Sequence, residues 1–209
     1  LIERYWQSAK STYRKTDGTP TSQLERVRRV MRPLKDLYGY IAIRDFGAQE
    51  LKCVRQAFID AGVGRKSTNS YVGVIKRCFK WGVEEGIVPS EVFGVLHVVS
   101  GLRKGRSEAK ESEPVRPVSE EDVEAVLEYV SPQVAAMIRL QWFTGARPGE
   151  VAHLRPVDID MSGDVWIVRL TEHKTAHHGN ERTIVMGKRA QAVIHPFLQN
   201  RAVHVPLFS

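Results

Sequence analysis

The chain has 209 residues, of which 42% are hydrophobic and 26% charged, and carries a formal net charge of +7. That length allows one large domain or two small ones with cores of their own, and that composition excludes disorder as the default state. No apolar run approaches the ~20 residues of a membrane helix, and the N-terminus lacks the charged-then-apolar layout of a secretion signal, which together predict a cytoplasmic protein.

The charge is unevenly placed. Residues 1–116 hold 22 Lys and Arg against 13 Asp and Glu, a balance of +9, whereas residues 117–209 hold 9 against 11, a balance of −2. The first half suits a polyanionic partner.

In chain order, the first strong pattern is Leu24 to Tyr38, where Leu24, Val27, Val30, Met31, Leu34 and Tyr38 keep helical spacing and Arg26, Arg28, Arg29, Arg32 and Lys35 fall mostly off that face. Pro33 predicts a kink or a fresh start. A second helix is expected from about Gly47 to Ala61, closed by Gly62, and a third from about Ser67 to Glu85. The third has Tyr71, Ile75, Cys78, Phe79 and Gly82 on one stripe, with Lys76, Arg77 and Lys80 beside it. A shorter helix follows from about Ser90 to Val99. Cys53 and Cys78 both sit among apolar neighbours and are expected to be buried free thiols. With no strand pattern competing, residues 1–102 are expected to form a small all-helical domain.

The stretch SGLRKGRSEAKESEPVRPVS, Ser100 to Ser119, is rich in Gly, Pro and charge. It coincides with the change in charge balance, so residues 103–116 read as a linker. Beyond it, Ser119 followed by Glu120, Glu121 and Asp122 is a helix-start signature, and Val123, Val126, Leu127 and Val130 give the i, i+3, i+4, i+7 stripe. SPQVAAMIRLQWFTG predicts a helix that begins at Pro132, stops at Gly145 and, being apolar on most sides, lies at the centre of a second core. A short helix through Leu154 comes next. Then DVWIVRL and RTIVM, separated by TEHKTAHHGNE, predict a β-hairpin with a polar tip, and a last helix is expected over about Lys188 to Gln199. The fold class is therefore mainly α with one small β element, in two domains.

Chemistry concentrates in TGARPGEVAHL, Thr144 to Leu154. Arg147 follows the helix-stopping Gly145 at the start of a short helix, where Glu150, three residues on, can orient it by an ion pair. A guanidinium offers forked donors that fit two phosphate oxygens and stays charged at any working pH. An ordinary ion pair at a helix start is the plainer reading of the same two residues. His173, His177 and His178 are close enough together to raise a metal reading, but no Cys or carboxylate completes a ligand set, so no metal is expected.

Thr-Gly-Ala-Arg-Pro-Gly-Glu-Val-Ala-His-Leu, followed by RPVDID, a hairpin containing HKT, and RTIVM, resembles the tyrosine recombinase, or phage integrase, family in letters, order and spacing. STNSYVGVIKRCFKWGVEEGIVP likewise looks like part of that family's core-binding domain, departing at Pro89 where the family often has Asn-Pro slightly later. The resemblance covers nearly the whole chain and is most specific from Pro117 onward. It implies a helical core-binding domain at 1–102 and the N-terminal part of an α+β catalytic domain at 117–209.

By the same resemblance Arg147 would hold the scissile phosphate, and Lys174 in the hairpin would protonate the leaving 5′ oxygen. Glu150 and Thr144 would support the arginine. Phosphate contacts would come from Arg26, Arg28, Arg29, Arg32, Arg65, Lys66, Asn69, Lys76, Arg77 and Lys80 on the basic helices and from His177 and His178 in the hairpin. The partner implied is double-stranded DNA, bound by a tetramer in intact relatives, with no cofactor and no small-molecule substrate.

The family's His-x-x-Arg motif and C-terminal tyrosine nucleophile have no match here. Tyr5, Tyr13, Tyr38, Tyr40, Tyr71 and Tyr129 all precede Arg147, and VPLFS resembles the segment just upstream of the His-x-x-Arg helix. The chain as given is therefore expected to bind DNA without cleaving it. Two rival functions stay open: a non-catalytic helical DNA-binding protein, and a metal-dependent hydrolase built on the hairpin histidines.

Overall fold

Val27, Val30, Met31 and Leu34 recur every three or four residues, and that stripe organises the N-terminal half. In the computed structural model, which describes residues 1–15, 17–170 and 182–209, they lie buried on helix α2, Ser22–Tyr38, while Arg26, Arg28, Arg29, Arg32 and Lys35 are exposed. Pro33 sits inside α2, and the helix runs on to Tyr38 instead of restarting. A mid-helix proline costs about 3 kcal/mol. Burying Val30, Met31 and Leu34 contributes about 1.5–3 kcal/mol each, which outweighs the lost hydrogen bond.

The chain divides into two units, Leu1–Val115 and Arg116–Ser209. The first is all-helical among its described residues: α1 Ile2–Thr12, α2, α3 Ala48–Asp60, α4 Arg65–Glu84 and α5 Ser90–His97. Helix α1 has no counterpart among the predicted elements, because only Tyr5 and Ala9 mark its buried face, too few for a periodic signal. Its Tyr5 ring packs on Trp81, at 5.5 Å between centroids. Helix α4 forms the spine, burying Val72, Val74, Ile75, Cys78, Phe79 and Gly82. Gly82 is small for a reason, since a Cβ there would overlap Val88 after the turn at the end of the helix.

Of the two cysteines only Cys78 is buried, and burial pushes its thiol up to about 12. Cys53 is exposed, contrary to the expectation from sequence, because it falls off the Leu51, Val54, Phe58 stripe that α3 turns inward.

The segment read as a linker is anchored to the first unit. Arg65 pairs with Glu111, its backbone N–H donates to the Lys110 carbonyl at 2.9 Å, and Ala109 is buried. Asn69 clasps Leu102 in both directions, its Nδ2 donating to the carbonyl at 3.0 Å and its Oδ1 accepting from the N–H at 2.7 Å.

In the second unit the order is α6 Glu120–Leu127, α7 Pro132–Thr144, α8 Pro148–Ala152, β1 Ile159–Asp160, β2 Trp166–Leu170, β3 Arg182–Met186 and α9 Lys188–Leu198. The sheet is antiparallel in the order β1-β2-β3, with Trp166 opposite Met186 and Leu170 opposite Arg182. Ser119 Oγ accepts the Asp122 N–H at 3.1 Å, capping α6 as its sequence predicts, and Ser131 Oγ accepts that of Val134 at 3.4 Å at the start of α7. Val168 of β2, Ile184 and Met186 of β3, Leu140 of α7, Val151 of α8, and Ala190 and Ile194 of α9 make the core.

Helix α7 packs on α8, α9 and β3 through Leu140, Met137 and Phe143, but it is not enclosed on its other side. Only Ala136 and Leu140 are buried, while Val134 and Trp142 stay 42% and 43% exposed, and no residue of α6 is buried. Apolar letters all round a helix show that it can be buried, but a neighbouring element must supply the cover.

Candidate phosphate site and nucleic-acid interface

The turn between α7 and α8 is built residue by residue. Thr144 Oγ1 donates to the Leu140 carbonyl at 2.6 Å and accepts from the Ala146 N–H at 3.2 Å. Gly145 then takes a left-handed conformation, φ +65°, that ends α7. Arg147 caps α8 in extended conformation, and Pro148 fills the first helical position, where no N–H is needed.

Glu150 joins this turn to the sheet. Its carboxylate accepts the Arg147 backbone N–H at 2.8 Å and the Arg147 guanidinium Nη1 at 2.8 Å. It also takes a forked pair from Arg182 at the start of β3, Nε at 2.6 Å and Nη2 at 3.0 Å. Its side chain is only 8% exposed. Burial alone would raise its carboxyl, but the hydrogen bonds from Arg182 and from the Arg147 backbone and side chain outweigh that and hold it at about 2. The same bond raises the Arg182 guanidinium still further. Glu150 is thus an anion at every working pH, shared by two guanidiniums that leave one unit of positive charge over. The Arg147 side chain remains 48% exposed, with Glu150 its only side-chain partner among the described residues. An oriented, half-open guanidinium of this kind can grip a phosphate through its remaining donors.

Lys174, His177 and His178 lie outside the described residues, as does His173. The chain segment carrying them departs at Leu170 and returns at Arg182, the residue bound to Glu150. Among the described residues no group of three or more His, Cys, Asp and Glu could hold a metal ion.

The basic residues of the first unit separate into two sets. Arg28, Arg29, Arg32, Lys66 and Arg77 are exposed and unpaired among the described residues. Arg26 is exposed and reaches Ser70 Oγ at 3.4 Å, and Lys80 is exposed and pairs with Glu84 at 3.4 Å. In contrast, Arg65 and Asn69 hold the segment 102–111, and Lys76 donates to the carbonyls of His97 at 3.1 Å and Val99 at 2.6 Å beyond α5. Burial, reinforced by the nearby Arg55 charge, lowers the Lys76 ammonium.

Arg182 escaped the sequence reading because it lies 32 residues from Glu150, and no local spacing links them. The one signal was its place as the first residue of RTIVM, shortly after the segment that carries Lys174 in the sequence.

The architecture, a helical unit followed by a unit of helices around a small antiparallel sheet, is a tyrosine recombinase/integrase-like fold. Among solved structures, the chain is similar to the Tn1549 transposon integrase in complex with a circular intermediate DNA, with 17% identity over 96% of this chain and a TM-score of 0.66. It is also similar to a lambda integrase dimer bound to a COC′ core site, with 13% identity over 100% of the chain and a TM-score of 0.68. A lambda integrase tetramer bound to a Holliday junction matches 93% of the chain at 14% identity and a TM-score of 0.61. The chain spans 65%, 55% and 52% of those three chains, respectively. No protein-family model matches the sequence, and no curated protein matches it. No helix among the described residues is long and apolar enough to cross a membrane.

Proposed function

We propose that this chain is a DNA-binding portion of a site-specific tyrosine recombinase, in which Arg147 holds the phosphate that is broken and rejoined. The observation that carries this reading is the Arg147–Glu150–Arg182 cluster: a guanidinium oriented by a buried carboxylate and still half open. The solved integrases of the same fold are bound to DNA, which supports duplex DNA as the partner.

Attack on a phosphodiester builds negative charge on the non-bridging oxygens and then on the departing 5′ oxygen. A cation fixed beforehand in the right place lowers that barrier without reorganising during the reaction. Arg147 would meet the non-bridging oxygens, and Lys174 would give its proton to the leaving oxygen. Glu150 acts on the reaction through Arg147, by fixing where its fork points.

The nucleophile of this chemistry is a tyrosine, and all six tyrosines of the chain precede Arg147. We therefore expect the 209-residue polypeptide to occupy DNA without forming a covalent link to it. In a complete recombinase of this kind the same units would assemble as a tetramer on paired duplexes, in the compartment where the DNA lies.

The test is duplex binding by fluorescence anisotropy across a salt series. Salt-sensitive binding is expected, weakened about tenfold or more by Arg147→Ala, since a hydrogen-bonded charge contact contributes about 1.5–3 kcal/mol. Arg147→Lys should fall between, keeping the charge but losing the fork. Failure to bind any duplex would overturn the reading as a whole. Binding indifferent to Arg147→Ala would leave a helical DNA-binding protein with no phosphate site.

A further inference from the structure

Lys52 and Arg55 sit three residues apart on α3 and point into a cleft of about 550 Å³ whose other wall is the segment after α5, with Arg103 and Arg106 on it. We propose that this cleft is a separate binding site for the phosphodiester backbone of DNA, contacted independently of the arginine face of α2. The inference rests on the DNA-binding reading above and adds to it where the backbone is held.

The wall is rigid enough to present its charges. Arg55 Nη1 donates to the Ser100 carbonyl at 3.1 Å, Lys76 ties down the carbonyls of His97 and Val99, and Asn69 clasps Leu102 from both sides. A turn in which the Arg106 N–H donates to the Arg103 carbonyl at 3.1 Å brings those two arginines together. The backbone there is pinned at His97, Val99, Ser100 and Leu102, which fixes where this wall of the cleft lies while the side chains of Arg103 and Arg106 stay exposed.

The charges are also uncompensated. No carboxylate lines the cleft, and Lys52, Arg55, Arg103 and Arg106 have no ion-pair partner among the described residues. Some exposed cations of this chain find acids, as Lys80 finds Glu84, Arg139 finds Glu124 and Arg189 finds Glu120, and others such as Arg28 and Arg29 do not; the cleft differs in gathering four cations around one space with no acid among them. Several cations facing one space repel one another by about 1 kcal/mol per close pair even in water, a cost that an entering polyanion converts to attraction.

The lining further narrows the ligand. It has no aromatic ring on which a base could stack, and apart from the cations only Ala, Val, Ser, Gly and Leu. That composition suits phosphates read without regard to sequence, rather than a base or a free nucleotide.

The experiment measures binding of the full 209-residue chain to a duplex of about 30 bp over a potassium chloride series, where each phosphate contact contributes a slope of about 0.9 in log K against log salt. In the variant Lys52→Ala, Arg103→Ala, Arg106→Ala, Arg55 is kept because it holds the Ser100 carbonyl, and circular dichroism checks that the helices persist. A control variant, Arg4→Ala, Lys10→Ala, Lys15→Ala, removes the same net charge from α1 and the residues after it. The expected result is a slope reduced by about 2–3 and an affinity more than tenfold lower for the cleft variant, with a clearly smaller change in the control. Equal changes in the two variants, or no change in either, overturn the cleft while leaving DNA binding intact. Absence of binding by the unaltered chain removes the reading on which the cleft rests.

Discussion

The two units handle positive charge in opposite ways. In Leu1–Val115 it is plentiful, spread along α2 and α4 and the segment after α5, and mostly left to solvent. In Arg116–Ser209 the net charge is slightly negative, yet one guanidinium is fixed by a carboxylate that is 8% exposed and shared with a second arginine. Scattered cations give attraction without geometry, which suits holding a backbone at any sequence. A single buried anion gives geometry, which suits gripping one phosphate while its charge changes. The cores differ in the same direction. The first unit closes around buried side chains of all five helices, whereas the second leaves α6 without a buried residue and α7 half bare.

That contrast breaks most visibly at Glu150. Replacing it with Ala leaves two guanidiniums without their acceptor and removes the bond to the Arg147 backbone, so the second unit should lose about 3–5 kcal/mol. Thermal unfolding followed by Trp142 and Trp166 should shift, whereas the transition of the first unit, followed by Trp6 and Trp81, should not. Single-tryptophan variants separate the two signals. A common shift of both would show that Glu150 is not specific to its unit.

Acid sharpens the same comparison. Glu150 is held below its ordinary carboxylate value, so its contribution is complete above about 4.5 and is lost as the pH falls toward about 2. A displacement of that size corresponds to on the order of 3 kcal/mol. An acid titration of the two tryptophan pairs should show the second unit weakening in that window, and Glu150→Gln should abolish the difference. An unchanged acid profile in Glu150→Gln would contradict the assigned role.

The smallest effect is chemical and belongs to the first unit. Cys53 is exposed and Cys78 buried with its thiol pushed up to about 12, so a thiol reagent at neutral pH should modify one cysteine of the folded chain and both after denaturation. Peptide mass mapping identifies which one. Modification of Cys78 in the native state would mean that the α4 spine opens readily.

Much of this fold was legible from spacing. The α2 stripe, the Ser119 cap, the Gly145 stop and the two strands each depend on residues a few positions apart, and local backbone geometry turns such spacing directly into structure. The Arg147–Glu150 pair belongs to the same class, three residues apart at the start of one short helix. Helix α1 was too sparsely marked to be read, and the anchoring of residues 102–111 by Arg65 and Asn69 was hidden because charge and glycine in that stretch, with prolines just beyond it, suggest a free tether.

By itself, then, the sequence determined every helix but α1, two of the three strands, the asymmetry of charge and the candidacy of Arg147, all of which follow from short-range periodicity and composition. Only the tertiary structure decided that Arg182 shares Glu150, that Asn69 and Lys76 serve the segment beyond α5 as Arg65 serves its continuation to Glu111, and that Lys52 and Arg55 meet Arg103 and Arg106 across one cleft. Those partners stand tens of residues apart, and their meeting is set by how helices and strands pack, which no local pattern encodes.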